Sequence, residues 1–413
     1  MKSTLFSTLL TVTAGVFLTT ISCKHSDVSP PPSTAGDLRV SAPFASQTAQ
    51  FAFDVTKEVV AEEGQANNVF ISPLSLHIAL GMIMNGANGQ TAQEIQKTLK
   101  LDAQTLTEAN NTYQNLLENL PGVDSKVTLS LANSVWYRNT FSVETSFQDL
   151  LKQSFQAEVS AQNFDDAATV GKINNWASQK TNGKIPKVLD RIESSDIMFL
   201  MNALYFKGDW TTQFKPEQTI DSPFKLVSGT TTTVRMMRLN TALKHASRST
   251  YTAFELPYGS GNFAMTVLLP AESTTADALI NSFNGDEWTQ LQQAMTSSMI
   301  DIGLPKFTMS YAINLNKTLS TLGMPTAFTD VADFTKINKK GGLTLSFVKQ
   351  NTFVAVDEQG TEAAAVTTGG ISVTSAPVPI LCNRPFIFVI HEKASGTILF
   401  VGKIADPTKT SNT

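Results

Sequence analysis

The side chains that most often carry chemistry are thinly spread in this sequence. His25, His77, His245 and His391 are its four histidines, and Cys23 and Cys382 its two cysteines. No Gly-x-Ser-x-Gly elbow, His-Glu-x-x-His, Gly-x-x-x-x-Gly-Lys loop or Cys-x-x-Cys pair occurs, so hydrolytic, zinc, phosphate and thiol-redox chemistry lack their usual frameworks. His391-Glu392 has no second histidine four residues away. His77 lies in an apolar helical stretch and reads as a packing residue. Cys382 ends the apolar run Pro379-Ile380-Leu381-Cys382, where a buried small hydrophobe is expected rather than a nucleophile. With two cysteines no disulfide framework exists. The expectation is a protein that is not an enzyme and holds no metal or cofactor.

The segment Gly360 to Val378 has a different kind of chemistry. It contains nothing larger than Ile371, no aromatic residue and no positive charge. Such a stretch cannot build a core of its own and should lie exposed. Composition alone fits a flexible linker or a short Ala-rich helix. If it enters a sheet as a strand, alternate side chains face opposite sides. One parity is then Thr361, Ala363, Ala365, Thr367 and Gly369, all small and uncharged, so burying it strands no charge. Glu362 and Ala364 fall on the opposite parity.

The elements around this segment alternate between helical and strand periods. Phe51, Val55 and Val59 recur every four residues and mark a helix over about 45–62. A short strand, Val69-Phe70-Ile71, leads to Ser72-Pro73, where Pro73 suits the first turn of a second helix reaching about Asn85. Thr91 and Glu94 have capping-box spacing and predict another helix start. Val127, Leu129, Leu131, Val135 and Tyr137 share one parity and predict a long strand with one buried face. Met198 to Phe206 is an almost unbroken apolar run, expected of a central strand covered on both faces. Further strands are predicted at Ala264 to Leu269, Leu343 to Val356, Phe386 to Ile390 and Thr397 to Gly402. The fold class is α+β with large mixed or antiparallel sheets.

Across 413 residues, 42% hydrophobic, the formal net charge is -4 from 31 basic and 35 acidic residues, which leaves no footprint for nucleic acid. Residues 1–22 resemble a secretory signal peptide: Lys2, then an apolar stretch from Leu5 to Ile21 too short and hydroxyl-rich for a comfortable membrane span. Ser22-Cys23 is similar to a bacterial lipoprotein cleavage site, in which Cys23 becomes the lipidated first residue, although Thr20 stands where that motif usually has leucine. Ordinary signal cleavage is the alternative. Residues 23–42, with Ser29-Pro30-Pro31-Pro32-Ser33, have linker composition. A single domain is expected over 43–407, with a tail at 408–413. The chain is expected to be exported, anchored at the outer membrane or cell surface only through the N-terminal lipid, and otherwise extracellular.

Five segments, in order, resemble the serpin family: Asn68-Val69-Phe70-Ile71-Ser72-Pro73-Leu74-Ser75; Asn202 to Trp210; Phe254-Glu255-Leu256-Pro257-Tyr258; Glu358-Gln359-Gly360-Thr361-Glu362-Ala363-Ala364-Ala365; and Arg384-Pro385-Phe386-Ile387-Phe388. The resemblance spans about 68–402. It implies three β-sheets, eight or nine helices and an exposed reactive-centre loop between the strand ending near Val356 and that around Phe386. It also implies roles. Ser72, Ser75 and Asn202 match the polar cluster beneath the centre of the main sheet, with Gln350 where many members carry histidine. Trp210 matches the tryptophan at the top of that sheet. Glu358 and Lys306 match a pair bridging neighbouring strands, and Gly360 with Thr361 matches the loop hinge.

The resemblance also implies a reactive bond at the usual family offset, 16 residues on from Glu358, which is Thr374, and counting 11 back from Pro385 lands on Thr374 as well. The bond offered to a protease is then Thr374-Ser375. The function implied is suicide-substrate inhibition of serine proteases with small apolar pockets, elastase-like or subtilisin-like, or of papain-like cysteine proteases. The partner is a target protease held covalently by a monomer. A serpin-fold protein serving for binding, storage or chaperoning is the alternative, and a secreted hydrolase is disfavoured by the missing motifs.

Overall fold

Ser41 starts the first helix. Its hydroxyl accepts the Phe44 amide at 3.3 Å, with Pro43 in the first turn, and Gly64 at φ +80° closes the helix, a backbone conformation that glycine reaches without strain. This helix, α1 (Ala42–Glu63), buries Phe51, Val55 and Val59, each worth roughly 1.5–3 kcal/mol. The computed structural model describes residues 38–361 and 379–411. Cys23, Glu362, Ala363, Ala364, Ala365, Thr374 and Ser375 therefore lie outside the described residues. Leu38 and Val40 pack on the core, so the end of the expected linker belongs to the folded body.

After α1 come β1 (Val69–Ile71), α2 (Pro73–Gly86), α3 (Gly89–Thr98), α4 (Leu106–Asn119), β2 (Val127–Arg138), α5 (Thr145–Phe155), β3 (Glu158–Gln162) and α6 (Ala168–Lys180). The middle of the chain is mostly strand: β4 (Met198–Asp209), β5 (Ile220–Lys225), β6 (Thr231–Ser247), β7 (Tyr251–Tyr258) and β8 (Phe263–Pro270). Next are α7 (Ala276–Ser282), α8 (Gly285–Ala294), β9 (Thr296–Pro305), β10 (Phe307–Asn314) and α9 (Asn316–Thr321). The chain closes with β11 (Lys349–Val356), β12 (Gly360–Thr361), β13 (Ile380–Leu381), β14 (Phe386–Glu392) and β15 (Ile398–Ile404).

The strands form a six-stranded sheet, β10-β11-β12-β4-β2-β3, and a nine-stranded network, β1-β15-β14-β8-β7-β6-β9-β13 with β5 on β6. The network is joined at a narrow seam, because β6 pairs β7 only from His245 to Ser247. On either side of that seam lie two sheets, so the architecture is three sheets and, among the described residues, nine α-helices.

Side-chain parity assigns the layers. Phe199 and Ala203 of β4 join Trp136, Phe164, Ile173 and Trp176 in a cluster under α6. Leu204 and Phe206 belong instead to the main core with Leu76 and Ile78 of α2. The six-stranded sheet is thus covered by α6 on one face and α2 on the other.

Four expectations need correction. The Thr91–Glu94 capping box does not form, because the helix starts three residues earlier, with Asn88 at the N-cap and Gly89 its first residue. Thr91 instead accepts the Asp333 amide, and Glu94 accepts the amide and hydroxyl of Thr326. A true capping box, Thr105 with Glu108, opens α4. The strand expected over 343–356 begins only at Lys349. Residues before it bond elsewhere: Leu345 to Ala327, and Ser346 and Val348 to the Asn316 side chain. Strand β2 is buried on both faces from Asn133 to Trp136, since α6 covers the face expected to meet solvent. In β4, Met198, Leu200, Met201 and Asn202 are only half-buried, although both faces are covered. What these residues lack is a neighbour along one edge.

Candidate functional site

That missing neighbour defines the site. Strand β4 pairs along its whole length with β2, and β11 with β10. Among the described residues β4 and β11 are joined only through β12, with Val356 opposite Thr361, Thr361 opposite Gly208, and Gly360 opposite Asp209. Below this two-residue bridge lies a slot lined on one edge by Leu204–Phe206 and on the other by Phe353–Ala355. It continues downward as a cavity of 110 Å³ between residues 198–203 and 344–351.

The bridge above the slot is fastened by a tight turn. The Asp357 carboxylate accepts the amides of Gln359 and Gly360 at 2.9 and 3.2 Å. The carbonyls of Glu358 and Gln359 accept the amides of Phe214 and Trp210. Gly360 must be glycine because a Cβ there would lie 2.2 Å from the Gly208 carbonyl oxygen and 2.6 Å from the Asp209 Cα, and backbone cannot yield as a flexible side chain can. Thr361 points into the protein, 4% exposed, and its hydroxyl lies 2.7 Å from that of Tyr258. Trp210 stacks on Tyr258 with ring centroids 4.4 Å apart and donates its indole N–H to the Asp357 carbonyl at 2.9 Å. Trp210 therefore both packs and holds the turn.

Glu358 is 8% exposed. It accepts from the Lys306 ammonium at 2.6 Å and the Thr219 hydroxyl at 2.8 Å. Burial works against its charge, but these two donors outweigh burial and hold the carboxyl below the usual carboxylate range. Lys306 lies between β9 and β10, so the pair fixes the end of β11 to neighbouring strands.

The polar cluster lies lower, and one helix end serves both edges of the slot. Ser72 is the N-cap of α2, its hydroxyl accepting the Ser75 amide at 3.2 Å and donating to Leu399 O at 2.8 Å. Gln350 of β11 reads the Ser72 backbone with both ends of its amide: Oε1 accepts Ser72 N–H at 2.9 Å and Nε2 donates to Ser72 O at 2.8 Å. Ser75 donates its hydroxyl to Asn202 Oδ1 of β4, and Asn202 Nδ2 donates to Asn133 Oδ1 at 2.7 Å. Separating β4 from β11 must therefore strain or break bonds made by the first turn of α2. Gln350 supplies both donor and acceptor without titrating.

Asn133, Tyr258, Asp357 and Thr219 complete the site and were not singled out from sequence. Asn133 had a visible signal: it interrupts the buried parity Leu131, Val135, where a polar residue needs a buried partner. Asp357 had the weaker signal of an aspartate two residues before a buried amide. The other residues considered for chemistry are structural. His77 is buried, bonded to Leu99 O at 3.1 Å and to the Tyr113 hydroxyl at 2.9 Å. Cys382 is buried, and burial pushes its thiol pKa up.

Comparison with known proteins adds to this geometry. A family model described as Serpin (serine protease inhibitor) matches residues 46–407. Human Serpin B3 is 33% identical, over 87% of this chain and 98% of its own length. The leukocyte elastase inhibitor of Xenopus laevis is 32% identical, over 88% and 99%. Among solved structures, the native state of the thermophilic serpin tengpin superposes with a TM-score of 0.82 at 31% identity, covering 89% of this chain and 95% of that one. Human thyroxine-binding globulin complexed with thyroxine gives 0.81 at 27%, covering 89% and 99%.

Proposed function

The chain belongs to the serpin family, and we propose that it inhibits serine proteases as a suicide substrate, trapping the acyl-enzyme when its reactive-centre loop enters the slot between β4 and β11. The observation that carries this reading is the break in the six-stranded sheet: among the described residues, the only link between β4 and β11 is Gly360 and Thr361.

Extending the observed register pairs Glu362 with Lys207 and Ala355, Ala363 with Phe206 and Val354, Ala365 with Leu204 and Thr352, and Thr367 with Asn202 and Gln350. The inward set is then Thr361, Ala363, Ala365, Thr367 and Gly369, each small enough to pass between covered strands. Glu362 faces outward beside Lys207. The protease's serine oxygen bonds the Thr374 carbonyl carbon, the Thr374-Ser375 peptide bond breaks, and the new Ser375 amine leaves with a proton. Insertion of Thr361 to Thr374 carries the ester about 45 Å at roughly 3.3 Å per residue. Around a dozen new strand hydrogen bonds, at roughly 0.5–1.5 kcal/mol net each, favour the inserted form by an order of 10 kcal/mol. The active form is thus kept by a barrier rather than by equilibrium.

A second reading, binding, storage or chaperoning without inhibition, draws on thyroxine-binding globulin, which shares the fold and is complexed with a small molecule. Incubation with an elastase-like protease followed by a denaturing gel separates the two. A stable complex near the summed masses is expected. Clean cleavage with no complex would leave the binding reading standing. The N-terminal reading completes the proposal: a monomer exported through residues 1–22 and anchored by lipid on Cys23.

A further inference from the structure

We propose that the lower half of the slot is a binding site for small neutral alcohols, an apolar body of about six to eight carbons ending in one hydroxyl, and that such a ligand stops the loop from completing its insertion. The second clause rests on the inhibitory reading above; the binding site does not.

Size and walls come first. The 110 Å³ cavity has Ala79 and Ile83 of α2 as floor, Trp176 and Ile185 as roof, and Met198 to Ala203 along one edge. A second cavity of 110 Å³ shares Ile83, Met198, Leu200 and Leu345 with it, so an elongated molecule can lie across both. An engineered apolar cavity of about 150 Å³ takes benzene, which sets the scale of the ligand.

The polar end decides the class. Asn202 uses one Nδ2 hydrogen on Asn133, Gln350 uses one Nε2 hydrogen on the Ser72 carbonyl, and Ser75 gives its hydroxyl hydrogen to Asn202. Two amide hydrogens and the Ser75 oxygen lone pairs remain, and a hydroxyl uses both kinds. It donates to Ser75 Oγ and accepts from an amide N–H. A carboxylate or ammonium would lose its hydration there without gaining a buried counter-charge, since the one charged lining residue, Lys349, is exposed. The extended register brings the Thr367 hydroxyl to this same place, between Asn202 and Gln350. An alcohol in the cavity thus competes for the contacts that the lower half of the loop needs.

The test uses the full mature chain and benzyl alcohol as probe, followed by saturation-transfer NMR and by Trp fluorescence. Saturable binding at about 1 mM is expected for eight heavy atoms, with benzoate and benzylamine at least about tenfold weaker. Ala79→Phe should abolish binding by filling the floor, with folding checked by circular dichroism. Asn202→Leu should shift preference from benzyl alcohol to toluene, which tests the polar end separately. No saturation by about 50 mM, or binding untouched by both variants, overturns the site. In the presence of an elastase-like protease, benzyl alcohol should raise the inhibitor consumed per protease trapped at least about twofold, and the loop-cleaved chain should no longer bind it. Normal trapping with no binding to the native chain defeats the site alone. Binding abolished by the variants, with no trapping at all and no change on cleavage, upholds the site and defeats the inhibitory reading.

Discussion

Thr361 carries the most weight of any single side chain near the hinge, because its position fixes the parity of everything that follows. It is buried against Tyr258, so in the proposed inserted strand Glu362 would fall on the opposite face and Ala363 on the same one. Thr361→Arg is expected to convert the protein from inhibitor to substrate while cleavage near Thr374 continues, since an unpaired guanidinium costs several kcal/mol in the buried place of Thr361 and forces the strands apart at the mouth of the slot that the loop must enter. Glu362→Arg, on the outward parity, should cost far less. Stable complexes at normal stoichiometry from the Thr361 variant would sink the insertion mechanism. Histidines act elsewhere, on stability. Burial holds His77 at about 4, and burial against the pull of Glu255 holds His391 at about 4. Above pH 6.5 both are neutral whether folded or unfolded. Below it the unfolded chain takes up protons that the native chain refuses until about pH 4, so stability falls across that window, by about 2 kcal/mol per histidine at pH 5. The urea midpoint should drop between pH 7.5 and 5, and His77→Gln should remove about half of that drop. An unchanged slope in the variant contradicts the assignment.

At the scale of elements, α2 and the turn after β11 hold the two edges of the slot. The Lys306–Glu358 pair anchors that turn, with Lys306 more than a third exposed and Glu358 nearly covered. Solvent screens the lysine side, so the pair contributes about 1 kcal/mol. Lys306→Ala leaves the carboxylate short of a donor and loosens the top of the sheet, and is expected to speed spontaneous loss of activity at 37 °C severalfold. Activity decaying at the wild-type rate would make the pair a surface decoration. These anchors also show what a sequence can and cannot disclose. Periodicity located α1 and β2, because one face of each shows an apolar repeat with the element's own period, whereas β4 was found from its unbroken apolar run and α2 from Ser72-Pro73. Periodicity overextended β11 to Leu343, since apolar residues lining a cavity edge alternate as strand residues do, and only hydrogen-bond partners tell them apart. The capping box was misplaced for a similar reason: Thr91 and Glu94 have the right spacing, but tertiary partners at Asp333 and Thr326 claim both side chains. The break between β4 and β11 left no trace in composition. It exists because two strands end up as neighbours in order without being paired, which is a property of the sheet and of neither strand.

For the whole molecule, the proposed reading rests on two parts of the sequence, export and anchorage on residues 1–23 and target choice on the residues around Thr374. Cys23→Ala is expected to move the protein from the membrane fraction to the soluble one, since stable anchoring takes more than one acyl chain and lipoprotein processing at that cysteine would supply them. Unchanged fractionation rules the anchor out. Target choice follows from what the loop lacks. Between Gln359 and Asn383 there is no lysine, arginine or aromatic residue. A protease whose pocket holds a buried acid would leave that acid unpaired on Thr374, a mismatch that specificity pockets penalise strongly, and a deep aromatic slot would stay unfilled. A small apolar pocket accepts Thr374 or, one residue earlier, Val373. Distances from the hinge and from Pro385 agree on Thr374, so no insertion or deletion has to be invoked. In the proposed mechanism Thr374 would dock in the protease and falls outside the inward parity set, so the barrier to insertion would be indifferent to its side chain. Changing it should therefore redirect the trap without disarming it. The unmodified protein is expected to trap elastase-like enzymes and spare trypsin, and Thr374→Arg to reverse that order at similar stoichiometry. Mass spectrometry of the released C-terminal fragment reads the bond directly: an N-terminus other than Ser375 or Thr374, or rapid capture of trypsin by the unmodified protein, overturns the assignment.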